Sequence, residues 1–312
     1  MNKATQSDLL LIVVTLIAAI SWMFSKEAIA LMPPLLFMGL RFLLAAVFLV
    51  CIGTKKLRQL TLEHIVRSAR VGIIFGVAML FWMLGLANSE SMGEGAFLTS
   101  LGVLLVPIVA RVFFAEPIPR NTWLALPIAL VGMALLSLAH GFTVSSGQLF
   151  YLLAAIGLAI YFTLNTRTAT ASMRQASGQR AAAELTAVEP LALTIIALTS
   201  AGLVALVASS LLEPWTLESV RWSSSLWGWL LASAVIGTAG RFWLQTYAQS
   251  LTTQTSGAVI LILEPIWVAL FAAVWFAETL DALQWLGCLL IFLALLVSRW
   301  QVLLFVFKRR EF

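Results

Sequence analysis

Charged residues are scarce in this 312-residue chain: they make up 11% of it, whereas 61% of its residues are hydrophobic. Soluble globular domains carry about 25% charged residues. A soluble chain of this length cannot hide so much apolar surface, so a soluble fold is excluded. Apolar runs of about 20 residues recur along the chain, each long enough to cross the roughly 30 Å core of a bilayer as a helix. The sequence therefore predicts an all-α polytopic membrane protein.

Residues that serve catalysis and metal binding are also few. The chain has two cysteines and two histidines, so we expect neither a disulfide framework nor a metal site. It contains no HExxH or GxSxG motif, and no Gly-Lys dipeptide of a nucleotide-binding P-loop. We therefore expect no enzyme and no cofactor. The net charge of +5 is explained by loops at the membrane surface rather than by binding to nucleic acid.

The apolar runs predict ten spans. They cover residues 8–31, 34–53, 70–88, 93–114, 121–140, 147–167, 185–209, 225–248, 254–276 and 282–305. The stretches "GTKKLRQLTLEHIVRSAR" and "RTATASMRQASGQRAAAE" are predicted to be long polar loops. With the N-terminus in the cytoplasm, fifteen Lys and Arg residues lie inside and only Lys26 and Arg221 lie outside. Because basic loops stay in the cytoplasm, both termini are predicted to be cytoplasmic.

The two halves of the chain resemble each other at an offset of 162 residues. "GAFLTS" at 95 aligns with "GAVILI" at 257, "FFAE" ending at Glu116 aligns with "WFAE" ending at Glu278, and Trp123 aligns with Trp285. Five spans per half is an odd number, so the second copy enters the membrane from the opposite side. The sequence thus predicts two inverted five-helix repeats, 1–142 and 143–312, around a central cavity, as in secondary transporters.

Several motifs carry a family resemblance that covers essentially the whole chain. They are "LRFLLAA", "GEGAFLTSLGVLLVP", "FFAEPI", "LEPIWVALFAAVWFAETL" and "WLGCLLI". With ten spans, they resemble the drug/metabolite transporter superfamily, and its EamA-type exporters in particular. Within it, the chain is similar to bacterial aromatic amino-acid exporters of the YddG type. The resemblance implies that spans 1, 3, 4, 6, 8 and 9 surround the cavity.

Three charged residues and one proline lie deep within the spans. Pro265 cannot donate its backbone N–H and is predicted to kink span 9. Glu264 beside it costs on the order of 3 kcal/mol if it faces lipid, so we expect it to lock helix packing or to serve the substrate or a proton. A tolerated lipid-facing position is the remaining alternative. Arg241 lies at a similar depth on the preceding span and is its predicted partner. Arg41 either binds a substrate carboxylate or donates to helix carbonyls.

Aromatic and polar residues inside the spans are candidates for the cavity wall, because flat rings suit flat apolar side chains. The alternative for each ring is packing or contact with lipid. The candidates are Trp22, Phe81, Trp82, Phe97, Thr99, Ser100, Tyr161, Asn165, Trp243, Gln245 and Tyr247.

These features predict a secondary transporter of the bacterial inner membrane. We expect it to export small neutral or aromatic amino acids by alternating access, functioning as a monomer in the lipid bilayer. Export of other metabolites or drugs remains open, as does exchange of sugar phosphates or nucleotide sugars, although phosphate groups usually require clustered Lys and Arg. A channel is a more remote alternative, because no filter motif is evident.

Overall fold

The computed structural model describes residues 3–88, 92–115, 120–137, 146–176, 188–215, 220–251, 259–275 and 281–298. Helices make up nearly all of these ranges, and no strand occurs within them. The helices are α1 (Lys3–Ile29), α2 (Pro34–Leu57), α3 (Leu62–Ala87), α4 (Met92–Phe114), α5 (Arg120–Ser137), α6 (Ser146–Ala176), α7 (Pro190–Leu212), α8 (Ser224–Ala234), α9 (Arg241–Ser250), α10 (Glu264–Trp275) and α11 (Ala282–Ser298).

Five described segments are long and apolar enough to cross a membrane. They are Thr5–Ile29, Pro34–Leu57, Leu62–Ala87, Ser146–Thr170 and Pro190–Leu212. Shorter apolar helices occupy Leu98–Phe114, Trp123–Leu135, Glu264–Trp275 and Ala282–Ala294. The all-helical membrane architecture expected from the composition is therefore present in the described part of the chain.

Both predicted long loops were wrong over part of their length. Helix α2 continues to Leu57 and α3 begins at Leu62, so only four residues connect them. Thr61 caps α3: its hydroxyl accepts the backbone N–H of His64 at 3.3 Å, and the His64 ring accepts the N–H of Thr61 in return. Helix α6 likewise runs to Ala176. Polar turns of helix extend past the apolar runs, because capping and solvent satisfy their backbone groups.

Helix pairs of the first and second halves pack along each other. Helix α2 packs on α7, α5 on α11, and α3 on both α6 and α7. Small residues permit these approaches: a Cβ on Gly72 would lie 2.6 Å from the backbone Cα and carbonyl oxygen of Ala197 in α7. The core that results reaches from α1 to α11 and includes Phe37, Phe42 and Met23, all fully buried.

Two of the predicted spans are not uniform α-helices. The eighth consists of α8, a π-helical turn over Val235–Gly240, and α9. In the ninth, a 3-10 turn over Val259–Leu263 leads into α10, which begins at Glu264. Pro265 lies in the first turn of α10, where a missing N–H is tolerated, so the chain changes helix type beside it.

Candidate functional site

A cavity lies among α1, α2, α3, α4, α6, α9, α10 and the 3-10 turn. Its wall consists of Ala18, Ser21, Trp22, Arg41, Phe75, Met79, Trp82, Thr99, Ser100, Val103, Leu158, Phe162, Arg241, Phe242, Leu261 and Glu264. Its volume is about 40 Å³, room for about three water molecules at about 10–15 Å³ each.

The predicted ion pair is present in the cavity wall. Nη2 of Arg241 donates to Oε2 of Glu264 at 3.1 Å, and their side chains are only 12% and 16% exposed. The other carboxylate oxygen accepts from Nε1 of Trp22 at 2.9 Å. Both oxygens of Glu264 are therefore engaged, which offsets the cost of removing a carboxylate from water. Nε of Arg241 is buried without a hydrogen-bond partner among the described residues.

Arg41, in contrast, is surrounded by neutral oxygens. Its Nη1 donates to Ser25 Oγ at 2.7 Å, its Nη2 donates to Ser21 Oγ at 2.7 Å and to the carbonyl of Gly237 at 3.3 Å, and its Nε donates to Thr238 Oγ1. Arg41 is 2% exposed, and no carboxylate of the described residues lies within ion-pair distance of its guanidinium. Its positive charge is thus hydrogen-bonded but not neutralised.

The π-helical turn forms part of this cradle. Thr238 donates to the carbonyl of Ser233 at 2.8 Å, which leaves its hydroxyl oxygen free to accept from Arg41. Gly237 allows α1 to come close, because a Cβ there would lie 2.5 Å from the hydroxyl of Ser21. A π turn widens the helix and is frequently found at functional sites. Here it brings a carbonyl and a hydroxyl of one span to the same cation.

An aromatic cluster forms part of the cavity wall. The rings of Trp22 and Trp82 meet edge to face, with centroids 4.7 Å apart, and Tyr151 lies 6.2 Å from Trp22. Glycine makes room for the tyrosine: Cβ atoms on Gly85 and Gly95 would lie 2.7 and 2.5 Å from it. Because Trp22 also donates to Glu264, this cluster is joined by a hydrogen bond to the ion pair.

The polar candidates divide between the wall of the cavity and the protein interior. Thr99 and Ser100 line the wall, and the hydroxyl of Thr99 has no hydrogen-bond partner among the described residues. Asn165 lies away from it and donates to Gln249 at 2.9 Å and to Thr246 at 3.2 Å. Gln245 is fully buried, and neither polar atom of its amide has a partner among the described residues.

Among the aromatic candidates, the structure places Trp22 and Trp82 in the cavity wall and Tyr161 behind it, 4.4 Å from the ring of Phe75. Phe81 packs on the core beside Phe150, not on the cavity. Trp243 and Tyr247 are 38% and 36% exposed on the outer face of α9. The side chain of Phe97 lies outside what the structure describes.

The positions of Trp243 and Tyr247 follow from helical phase. In α9 the buried residues are Phe242, Gln245, Thr246, Ala248 and Gln249. Positions four apart share a face of an α-helix, and 243 and 247 form the opposite face. These two rings were predicted from their depth along the span alone. Whether a ring reaches the cavity also depends on the face of the helix that carries it.

Sequence reasoning missed several wall residues. Phe75, Phe162 and Phe242 line the cavity, and Ser25 and Thr238 hold Arg41. Phe242 lies edge-on to Phe75 at 4.8 Å, and the guanidinium of Arg241 lies 4.8 Å from its centroid. The adjacency of Phe242 to Arg241 was the available signal, because neighbours of a deep charge lie near its cavity.

Comparisons with known proteins agree that the relatives of this chain are transporters. The model of the EamA-like transporter family matches residues 5–138 and 145–300. An uncharacterized transporter of Archaeoglobus fulgidus is 25% identical over 305 residues, 96% of this chain and 88% of that protein. The uncharacterized transporter YvbV of Bacillus subtilis is 28% identical over 138 residues, 44% of this chain and 42% of that protein.

A solved crystal structure shares the fold. It superimposes with a TM-score of 0.70 over 95% of this chain and 96% of that chain, at 16% sequence identity.

Proposed function

This chain belongs to the EamA-like transporter family, and we propose that it is a secondary transporter that exports small neutral or aromatic amino acids by alternating access. The observation that carries the proposal is the central cavity. Aromatic rings form much of its wall, and two arginines and one glutamate contribute the charges. Flat rings favour flat apolar side chains, and a buried guanidinium is suited to a carboxylate.

The small volume of the cavity supports alternating access. A space of about 40 Å³ excludes an amino acid, so loading requires a second arrangement of the surrounding helices. The broken helices of the eighth and ninth spans contribute Arg241, Phe242, Leu261 and Glu264 to the wall. Discontinuous helices at the binding site are typical of transporters in which one bundle moves against the other.

The proposal includes two inverted repeats, which two observations support. The family model matches once on each side of residues 139–144. The packing is also paired: α3 packs on α6 and α7, and the eighth span packs on α1 and α2. Likewise α4 packs on α6, and α10 packs on α1. Under a two-fold relation between the halves, the contacts of α3 with α6 and α7 correspond to those of the eighth span with α1 and α2, and the contact of α4 with α6 corresponds to that of α10 with α1.

In the proposal the protein crosses the bacterial inner membrane ten times, with both termini in the cytoplasm. The charge distribution of the loops supports this orientation. Contacts at helix ends agree with alternating directions. Arg167 of α6 lies 4.0 Å above the ring of Phe114 at the end of α4, and the N–H of Arg221 donates to the carbonyl of Leu31 at 2.8 Å.

Exchange of sugar phosphates is the alternative within the same class. A phosphate monoester carries nearly two negative charges at neutral pH. In the described cavity wall only the charge of Arg41 lacks a carboxylate partner. Carriers of phosphate esters usually surround the ligand with several Lys and Arg side chains, so a ligand with one carboxylate fits this wall better.

Reconstitution tests the proposal. The purified protein is placed in liposomes loaded with unlabelled tryptophan or phenylalanine, and entry of the labelled amino acid is measured. We expect accumulation above that in protein-free liposomes, and saturation as the concentration rises. Matched liposomes are loaded with a hexose phosphate and its labelled form. Exchange of the sugar phosphate with amino acids inert would overturn the proposal.

A further inference from the structure

We infer that the cavity selects its substrate by the carboxylate alone, through Arg41, and does not require an α-amino group. The inference rests on the proposed function in that the substrate must enter this cavity. It extends the substrate class from amino acids to monocarboxylic acids with a flat apolar body.

The carboxylate of Glu264 is not free to receive a ligand ammonium group. One of its oxygens accepts from Arg241 at 3.1 Å and the other from Trp22 at 2.9 Å. A ligand amine would have to displace one of these donors. Displacing Arg241 would leave a guanidinium unpaired at 12% exposure, which is costly in a poorly solvated site.

Positive charge and hydrogen-bond donors, by contrast, remain available. Arg41 has only neutral oxygens around it. Nε of Arg241 is buried without a partner among the described residues, and both arginines line the cavity. With Glu264 compensating one arginine, the wall carries one unbalanced positive charge. A single carboxylate on the ligand neutralises it, and hydrogen bonds to charged groups are among the stronger ones in proteins.

The rest of the wall fits the apolar body of such a ligand. Trp22, Trp82, Phe75 and Phe242 supply ring surfaces, and Met79, Val103 and Leu158 supply aliphatic surface. None of these side chains accepts a hydrogen bond from an ammonium group well. Binding of the apolar body and of the carboxylate thus uses separate parts of the wall. The hydroxyls of Thr99 and Ser100 can accept from an amine, but the only carboxylate of the described wall is already paired, so an ammonium group finds no free negative charge there.

A competition series on the unaltered protein tests this directly. Tryptophan-loaded proteoliposomes exchange labelled tryptophan in the presence of indole-3-propionate, which lacks the amino group, or tryptamine, which lacks the carboxylate. We expect indole-3-propionate to compete within about threefold of tryptophan and tryptamine to be about 10–100-fold weaker, the range for a lost charged hydrogen bond. Equal competition by tryptamine, or none by indole-3-propionate, would overturn the inference.

Variants at Arg41 assign the effect to this residue. In Arg41→Met the cradle keeps its own hydrogen bonds, because Ser25 donates to the carbonyl of Ser21 and Thr238 donates to that of Ser233. We expect Arg41→Met to lose the preference for the carboxylate, and Arg41→Lys to keep part of it. Arg58→Met, at the exposed end of the same helix, is the matched control and should behave as the unaltered protein.

Failure of this inference and failure of the proposed function give different results. Exchange of labelled indole-3-propionate with tryptophan inert would remove amino acids from the substrate class and leave carboxylate selection standing. Exchange of tryptophan with strong competition by tryptamine would leave the transporter proposal standing and remove carboxylate selection. If neither labelled acid is exchanged, both are wrong. The competition series needs no variant, so a poorly folding Arg41→Met protein would not prevent the test.

Discussion

Arg241 of α9 and Glu264 of α10 lie 23 positions apart in sequence, and their side chains meet at 3.1 Å in the cavity wall. Trp22 of α1 contacts the same carboxylate. Three helices therefore converge on one acidic group. A buried ion pair adds little stability compared with apolar residues of the same shape, but loss of one partner leaves a costly lone charge.

Neutralising Glu264 should therefore be more harmful than neutralising the whole pair. Glu264→Gln keeps the side-chain shape and can still accept from Trp22, but it leaves Arg241 unpaired, at a cost of about 3 kcal/mol. We expect a lowered melting temperature in detergent and reduced transport. Combining Glu264→Gln with Arg241→Gln should recover part of the lost stability. Additive losses in this double-mutant cycle would show that the two side chains are not energetically coupled.

Replacement of Gly72 by alanine, the smallest possible change, is predicted to destabilise the protein. A Cβ there would lie 2.6 Å from the backbone of Ala197, and backbone cannot move aside as the tip of a side chain can. Overpacking of this kind costs about 1–3 kcal/mol, so Gly72→Ala should lower the melting temperature. The matched control is Gly228→Ala in α8, where nothing lies within 4 Å, and where helix propensity favours alanine. A Gly72→Ala protein as stable as the control would contradict the α3–α7 contact.

Gln245 and Gln249 should respond to substitution in opposite directions. Both amide atoms of Gln245 are buried without partners among the described residues, so Gln245→Met removes unsatisfied polar atoms and should raise the melting temperature. Gln249→Met removes the acceptor of the Asn165 amide, which lies 2.9 Å away, and should lower it by the equivalent of about 1–3 kcal/mol. The two variants, compared in the same detergent, control for general effects of Gln→Met. A loss of stability in both would indicate that Gln245 has a bonding partner.

Glu213 at the end of α7 is predicted to stabilise the beginning of α2. Its two carboxylate oxygens accept the backbone N–H groups of Leu35 at 2.7 Å and Leu36 at 2.9 Å, in place of a side-chain cap on α2 itself. Loss of a cap costs about 1–2 kcal/mol, so Glu213→Ala should lower the melting temperature. Glu27→Ala serves as control, because the hydrogen bond of the Glu27 carboxylate among the described residues comes from the exposed indole of Trp275 and not from a helix end. An equal effect of both changes would contradict the capping role.

The orientation of the chain can be checked at its C-terminus. A reporter enzyme that is active only outside the cytoplasm, fused after Phe312, should give no signal, because the distribution of Lys and Arg predicts both ends inside. A second reporter that is active only in the cytoplasm should give a strong signal at the same position. The opposite pattern would contradict the prediction, because it requires either an odd number of spans or an N-terminus that also lies outside.

The depth of a residue along its span could be predicted from the sequence. Arg241 and Glu264 were paired because each lies a similar number of residues from the turn that joins their spans, and helical rise converts that number into depth. The start of α3 was missed for the complementary reason. Hydropathy registers only the apolar core of a span. Helix α3, however, begins at Leu62 with polar turns, and the Thr61 cap allows these turns to be helical.

The face of the helix on which a residue lies could not be predicted from the sequence where a helix changes type. Trp243 and Tyr247 lie at suitable depths, yet both are on the outer face of α9. Their phase relative to α8 depends on the π turn between these helices, and nothing in "VIGTAG" specifies such a turn. The partners of Arg41 were missed for the same reason, since Thr238 and the carbonyl of Gly237 belong to that turn.

The wide turn over Val235–Gly240 makes the eighth span tolerant of a change in length. A π turn accommodates roughly one residue more than an α turn, and each residue of an α-helix adds about 100° of rotation. Removing one residue within this turn would restore a regular helix while Leu230 upstream and Arg241 downstream still face inward. The same deletion between Arg241 and Gln245 would rotate one of them away from its present neighbours. A change of length at this turn therefore keeps both ends of the helix in phase, and its cost falls on the bonds that Gly237 and Thr238 form with Arg41.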